Sequence, residues 1–168
     1  GAYAFGLLMQ KTGMSIPAAF ALAVLFSAAL AAVVGAICVR LKEIYFAFLT
    51  LAFQMLLHSL IISWVPLTGG DQGLMGGIPR PPFLGIDMAN QAHLYLFASG
   101  TLVVCLLAMR HLMESPFGYT LRMIRDNATR AQFLGIRVWR MRLAAFIAAG
   151  SFAGIGGIVM SLFVSGAY

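Results

Sequence analysis

Charge is absent from this chain for long stretches at a time. Four runs contain no Asp, Glu, Lys or Arg: Pro17–Val39, Ile44–Val65, Leu94–Met109 and Leu143–Val164, of 23, 22, 16 and 22 residues. A helix rises about 1.5 Å per residue, so about 20 apolar residues cross a hydrocarbon core about 30 Å thick. The third run is short and borrows Ala92 and His93 at its start. Strands of a membrane barrel alternate apolar and polar over about ten residues. These runs are apolar on every side, so the reading is all-α: a polytopic helical membrane protein. Composition excludes the other classes. With 61% hydrophobic and 10% charged residues, polar surface is too scarce for a water-soluble globule or a disordered chain.

The single transmembrane domain then has spans at about 17–39, 44–65, 92–109 and 143–164, with loops at 66–91 and 110–142. Gly1–Met9 is apolar but too short to span, and it lacks the basic start of a signal peptide. The expectation is a segment of a longer membrane protein, the alternative being a complete four-helix protein. Charge sets the orientation. Residues 110–142 hold seven arginines against Glu114 and Asp126, whereas 66–93 hold Arg80 against Asp71 and Asp87. Lys and Arg accumulate on the cytoplasmic side. Loop 110–142 is therefore inside and 66–91 outside, with Arg40 and Lys42 inside and Lys11 a weak exception. The net charge of +6 thus belongs to an inner membrane face and is no nucleic-acid footprint. Cys38 and Cys105 fall near inner helix ends and are expected to stay reduced.

The spans carry packing signals. Ala28, Ala31, Ala32, Gly35 and Ala36 crowd the first, and the fourth holds Gly150-x-x-x-Gly154 with Gly156 and Gly157. Small residues let helices approach closely in lipid. Local bending is the alternative use of the glycines. No ionisable acid or base other than His58 lies mid-span, which disfavours an ion-coupled transporter. Gln54 and His58 are one turn apart and share a helix face. They either line a polar pathway or hydrogen-bond to neighbouring helices. There is no G-x-x-x-x-G-K-[ST], H-E-x-x-H or G-x-S-x-G, and no Cys/His metal spacing.

Both loops are informative. Residues 68–82 contain five glycines and three prolines, which favour turns and extended backbone. Thr68, Gly69, Gly70 and Asp71 open this stretch. It is either a solvated connector or a structured outer mouth whose backbone contacts a solute. In the inner loop, Ser115 is a candidate N-cap and Pro116 suits a first helical turn. Phe117, Leu121, Ile124, Ala128 and Ala131 then recur in one apolar stripe. Arg122, Asp126 and Arg130 share the opposite side, and Gly135 is a natural stop. This predicts one amphipathic helix, either flat on the inner leaflet or docked into a groove of a cytoplasmic partner.

The stretches IYFAFLTLAFQM (44–55), LTGGDQGLMGGIPRP (67–81) and SPFGYTLRMIRDNATRAQFLGIRVWRMRLAAF (115–146) resemble permease subunits of ATP-binding-cassette importers for branched-chain amino acids. The resemblance covers most of the chain, in order. It is most specific in the third stretch, where Arg122, Arg125, Asp126, Asn127, Ala131 and Gly135 match the cytoplasmic coupling loop of that family. It implies a multi-pass protein of the bacterial inner membrane that is not an enzyme and has no cofactor of its own. ATP and Mg would be held by cytoplasmic ATPase subunits. A second permease subunit, a periplasmic substrate-binding protein and membrane lipid are the other implied partners, and nucleic acid is not one. The resemblance extends to permeases for other hydrophobic amino acids, and also for urea, short amides and aromatic acids. A pathway without charge suits a small neutral solute. An ATP-independent channel could use the same helices, and an intramembrane enzyme would have only His58 as a base.

The charge asymmetry gives a direct test of topology. A cysteine introduced at Thr68 should react with an impermeant thiol reagent applied outside, and one at Thr129 only after permeabilisation. The reverse pattern would invert the orientation.

Overall fold

The computed structural model describes residues 1–12, 15–41, 43–65 and 91–164. Its described elements are all helices: α1 (Ala2–Thr12), α2 (Ile16–Cys38), α3 (Glu43–Ser63), α4 (Gln91–Glu114), α5 (Pro116–Asp126), α6 (Ala128–Phe133) and α7 (Val138–Val164). Four of these, α2, α3, α4 and α7, are long and apolar enough to cross a membrane.

Two helices outrun their uncharged stretches. Helix α4 continues through Arg110 to Glu114, and α7 begins at Val138, ahead of Arg140 and Arg142. Arginine permits this because its long stem lets the backbone stay helical while the guanidinium reaches water. The short N-terminal stretch is also helical. In α1, Phe5 and Met9 sit one turn apart and are buried with Ile16, Ala19 and Ala23 of α2 and Ile158 and Leu162 of α7. Leu94, from the first turn of α4, completes that cluster.

The fold is organised on an antiparallel seam between α2 and α7. The buried residues of α2 include Ala19, Ala23, Ser27, Ala31 and Gly35, each one turn below the last. A Cβ on Gly154 would lie 2.6 Å from Ser27 Oγ, and one on Gly150 would collide with Ala31 Cβ. A Cβ on Gly35 would lie 2.7 Å from the Phe146 ring. Each step of four along α2 is thus answered by a step of four back along α7, the pattern of ridges formed by every fourth residue. The Ser27 hydroxyl lies inside the seam and donates to Ala23 O at 3.0 Å, so it enters without an unmet polar group. Ser151 and Ser161 likewise donate to carbonyls of their own helix.

Helices α3 and α4 are held more sparsely. Helix α3 meets α2, and Phe46 packs edge-on to Phe146 of α7 with ring centroids 5.9 Å apart. Helix α4 touches α7 at few positions and leaves a groove of about 530 Å³ between Ser99, Leu102 and Cys105 on one side and Phe152, Gly156 and Val159 on the other. Cys38 is buried and Cys105 half-buried, and both are free thiols.

The seam separates glycines by role. Gly150→Ala and Gly154→Ala should each destabilise the full-length protein by about 1–3 kcal/mol through overpacking. Gly100→Ala and Gly156→Ala, whose added Cβ atoms would meet nothing within 4 Å, should be tolerated. Thermal aggregation of the detergent-purified variants distinguishes these outcomes. Equal loss at all four positions would show that chain flexibility, rather than close approach, is what the glycines provide.

Candidate functional site

The connector between α4 and α7 is built as a compact unit. At the α4–α5 corner, Ser115 has extended backbone (φ −77°, ψ 165°), and Pro116 follows in the first turn of α5. The Ser115 hydroxyl does not cap α5. It donates to Leu112 O at 2.6 Å and so closes the end of α4. Gly118 is buried against the Met113 backbone, and a Cβ there would overlap the Met113 carbonyl. Arg122 Nη2 donates to that same carbonyl at 3.5 Å, with its guanidinium 5.5 Å from the centroid of the Tyr119 ring. Arg122 therefore braces the corner from within the chain.

One amphipathic helix is expected from the periodicity, and the structure has two. Asn127 leaves helical geometry (φ −158°, ψ 98°), ending α5 and starting α6. Its Oδ1 accepts from Arg130 N at 2.9 Å, which satisfies one of the orphan donors of the new helix. Helix α6 ends in a Schellman turn. Gly135 N donates to Gln132 O at 2.9 Å and Ile136 N to Ala131 O at 3.1 Å, with Gly135 at φ 82°. The residue predicted as the stop thus supplies the left-handed geometry that a side chain would resist.

The second half of the apolar stripe is covered inside this chain. Ile124 and Ala131 are buried with Val138 of α7, and Ala128, Ile136 and Met141 pack against them. Phe117 is half-buried. Leu121 lines a cleft of about 330 Å³ with Val39, Phe46 and Phe146. The surface left open is a different one: Phe133 is 89% exposed and Leu134 66%, at the tip of the α6 turn. The break at Asn127 leaves Arg122 and Asp126 at i, i+4 spacing on α5 and puts Arg130 on α6. Asp126 lies 3.7 Å from Arg125, while Arg110 pairs with Glu114 at 2.9 Å. Arg125, Asp126, Asn127 and Arg130 are exposed.

On α3, Gln54 and His58 are both exposed and form no hydrogen bond among the described residues. They share a face that no helix described here covers. Thr68, Gly69, Gly70 and Asp71 lie outside the described residues, as does the rest of 66–90. Among the described residues no three His, Cys, Asp or Glu side chains gather as a metal site requires.

Sequence reasoning passed over Gly118, Phe133 and Leu134. A glycine three residues after Ser115, and two large apolar residues beside Gly135, were the available signals. The capping role of Asn127 was signalled by an Asn inside an otherwise continuous stripe.

A protein-family model described as “Branched-chain amino acid transport system / permease component” matches residues 1–168. The chain is similar to the “High-affinity branched-chain amino acid transport system permease protein LivM” of Salmonella typhimurium, with 27% identity over 184 residues, covering 96% of this chain and 43% of that protein. It is 30% identical over 159 residues to the “Autoinducer 2 import system permease protein LsrC” of Salmonella paratyphi B, covering 92% of this chain and 42% of that one. A shorter match, 34% over 85 residues, is to the “Nucleoside ABC transporter permease protein NupC” of Lactococcus lactis subsp. cremoris, covering 51% of this chain and 26% of that one. The chain spans less than half the length of these relatives. No solved structure matches significantly.

The Asn127 cap has a measurable consequence. Asn127→Ala should destabilise α6 by about 1 kcal/mol, about fivefold in the population of its opened form. Tryptic cleavage at Arg125 and Arg130 of the full-length protein should accelerate accordingly, and Asn127→Asp should restore the slow rate. Unchanged cleavage in Asn127→Ala would remove Asn127 from that role.

Proposed function

The chain belongs to the branched-chain amino acid transport system permease family, and on that premise we propose that it forms part of the translocation pathway of an ATP-binding-cassette importer. Its four apolar helices make it a multi-pass protein of the inner membrane. The proposed solute is small and net neutral, with branched-chain amino acids as the first choice. The observation carrying this reading is the match along the whole chain, which takes in the cytoplasmic unit as well as the spans. The spans themselves hold no acid, Lys or Arg in mid-membrane that could relay an ion.

Energy must then enter from outside the membrane. We assign that entry to α5 and α6, docking on a cytoplasmic ATPase that carries ATP and Mg. A second permease subunit and a periplasmic substrate-binding protein complete the assembly. The geometry supports a mechanical role. A push on α6 would reach α7 through Ala131, Ile124 and Val138, and α4 through the Gly118–Met113 corner. Helix α7 is locked to α2 by the seam, so the push would turn a body rather than bend one element. On the solute side, Gln54 and His58 are the proposed pathway groups, with Thr68, Gly69, Gly70 and Asp71 at the outer mouth.

The relatives named for autoinducer 2 and nucleosides make solute choice a question of measurement. The test is uptake of labelled leucine by the full-length protein reconstituted with its ATPase and binding protein. Unlabelled isoleucine, autoinducer 2, adenosine and urea serve as competitors. Saturable uptake that needs ATP hydrolysis and yields to isoleucine supports the reading, whereas uptake without ATP would make the chain a channel. For the coupling surface, Phe133→Ala and Leu134→Ala should weaken ATPase co-purification roughly tenfold while leaving protein level unchanged, because the side chains are exposed. Ala131→Glu should lower the protein level instead, since it buries a carboxylate in the core beneath α6. Full ATPase assembly in Phe133→Ala would move the docking site elsewhere.

A further inference from the structure

The cleft at the inner ends of the helices is amphipathic in a way the transport reading does not use. Its wall is apolar, formed by Val39 and Leu41 after α2, Phe46 of α3, Leu121 of α5 and Ala145 and Phe146 of α7. Among the described residues, Arg142 is the one charged residue of the lining. It is the last charge before the uncharged run that begins at Leu143, while Arg40 is the first charge after the run that ends at Val39. Both therefore stand at the inner boundary of the hydrocarbon, with the apolar wall on its membrane side.

Among the described residues, the cations at this rim lack carboxylate partners. Arg40 lies over the Trp139 ring, 5.5 Å from its centroid. A cation–π contact of this kind still leaves guanidinium N–H groups able to donate. Trp139 is one turn from Arg142 and so lies on the same side of α7. The ion pairs among the described residues join Glu114 to Arg110 and Asp126 to Arg125, neither of which reaches the cleft. Lys42 and Glu43 offset each other in sequence. Indole rings also favour the headgroup level.

We propose that this cleft is a binding site for an anionic phospholipid of the inner leaflet, with an acyl chain along Phe46, Ala145 and Phe146 and the phosphate between Arg142 and Arg40. Charge complementarity selects the occupant: an apolar helix could fill the wall, but it would leave two arginines without an anion at the membrane boundary. The inference rests on the membrane placement of α2 and α7 and is independent of the importer reading.

The test uses the full-length protein in phosphatidylcholine vesicles, with spin-labelled phosphatidylglycerol or spin-labelled phosphatidylcholine as probe. The measured quantity is the motionally restricted fraction of each label. Wild-type protein should favour phosphatidylglycerol, and Arg142→Gln should reduce that preference about fivefold, the equivalent of about 1 kcal/mol for one cation at the surface. Arg40→Gln gives a second reading should Arg142→Gln fold poorly. Arg125→Gln, outside the cleft lining and paired with Asp126, should change nothing, and inorganic phosphate at matched ionic strength should not displace the label. An unaltered preference in both Arg142→Gln and Arg40→Gln would overturn the site. So would an equal loss in Arg125→Gln, which indicates a diffuse basic surface, or displacement by inorganic phosphate, which indicates an anion site without a lipid.

Discussion

Close approach of α2 and α7 is the contact on which the other elements depend. Lipid tails are as apolar as leucine, so burial alone gives two spans no reason to associate. Dispersion between closely fitted surfaces must do it, and dispersion decays within an ångström of lost contact. Ser27, Ala31 and Gly35 facing Gly154, Gly150 and Phe146 meet that requirement by removing side chains where the backbones come nearest. The seam then creates the places the rest of the chain occupies. Phe5 and Met9 of α1 seal one end, and the cleft and the α5–α6 unit assemble at the other.

The unit formed by α5 and α6 obeys a different physics, because its charged side chains are exposed. Its elements are short, so they depend on terminal hydrogen bonds and a small core rather than on length. Asn127 starts α6, Gly135 ends it, and Ile124, Ala131 and Val138 hold it to the foot of α7. The corner at Gly118 fixes its other end to α4 with backbone contact and no intervening side chain. Two attachments made of backbone and small residues leave little slack between the connector and the spans it joins.

The spans were legible because a missing charge is a one-dimensional signal: hydrocarbon excludes charge wherever the helices lie relative to one another. The seam was legible in composition, since Gly150-x-x-x-Gly154 and the alanines of α2 announce close packing without naming the partner. Periodicity was less sufficient in the inner loop. Phe117, Leu121, Ile124, Ala128 and Ala131 mark a face that must be buried, but period alone does not say what buries it. Here the covering surface comes from the same chain, through Val138 and Met141, and the open hydrophobes are Phe133 and Leu134. The local break at Asn127 was hidden because the stripe keeps its phase across it. Helix α1 was hidden because its stability comes from the seam end it covers, which no short-range pattern reports.

The unequal packing of the four long helices bears on how such a body could work. Helices α2 and α7 are bound along their length, while α3 is attached mainly near its start and α4 at scattered points beside an apolar groove. Gln54 and His58 lie on α3, away from the seam and exposed within this chain. An amide and an imidazole facing hydrocarbon would each cost several kcal/mol without partners. That penalty argues that their face meets water or further protein rather than lipid, which is the condition for a polar path beside α3. The closely packed pair α2 and α7 carries the α5–α6 unit, and beside it stand sparsely held helices, one of which bears these polar groups.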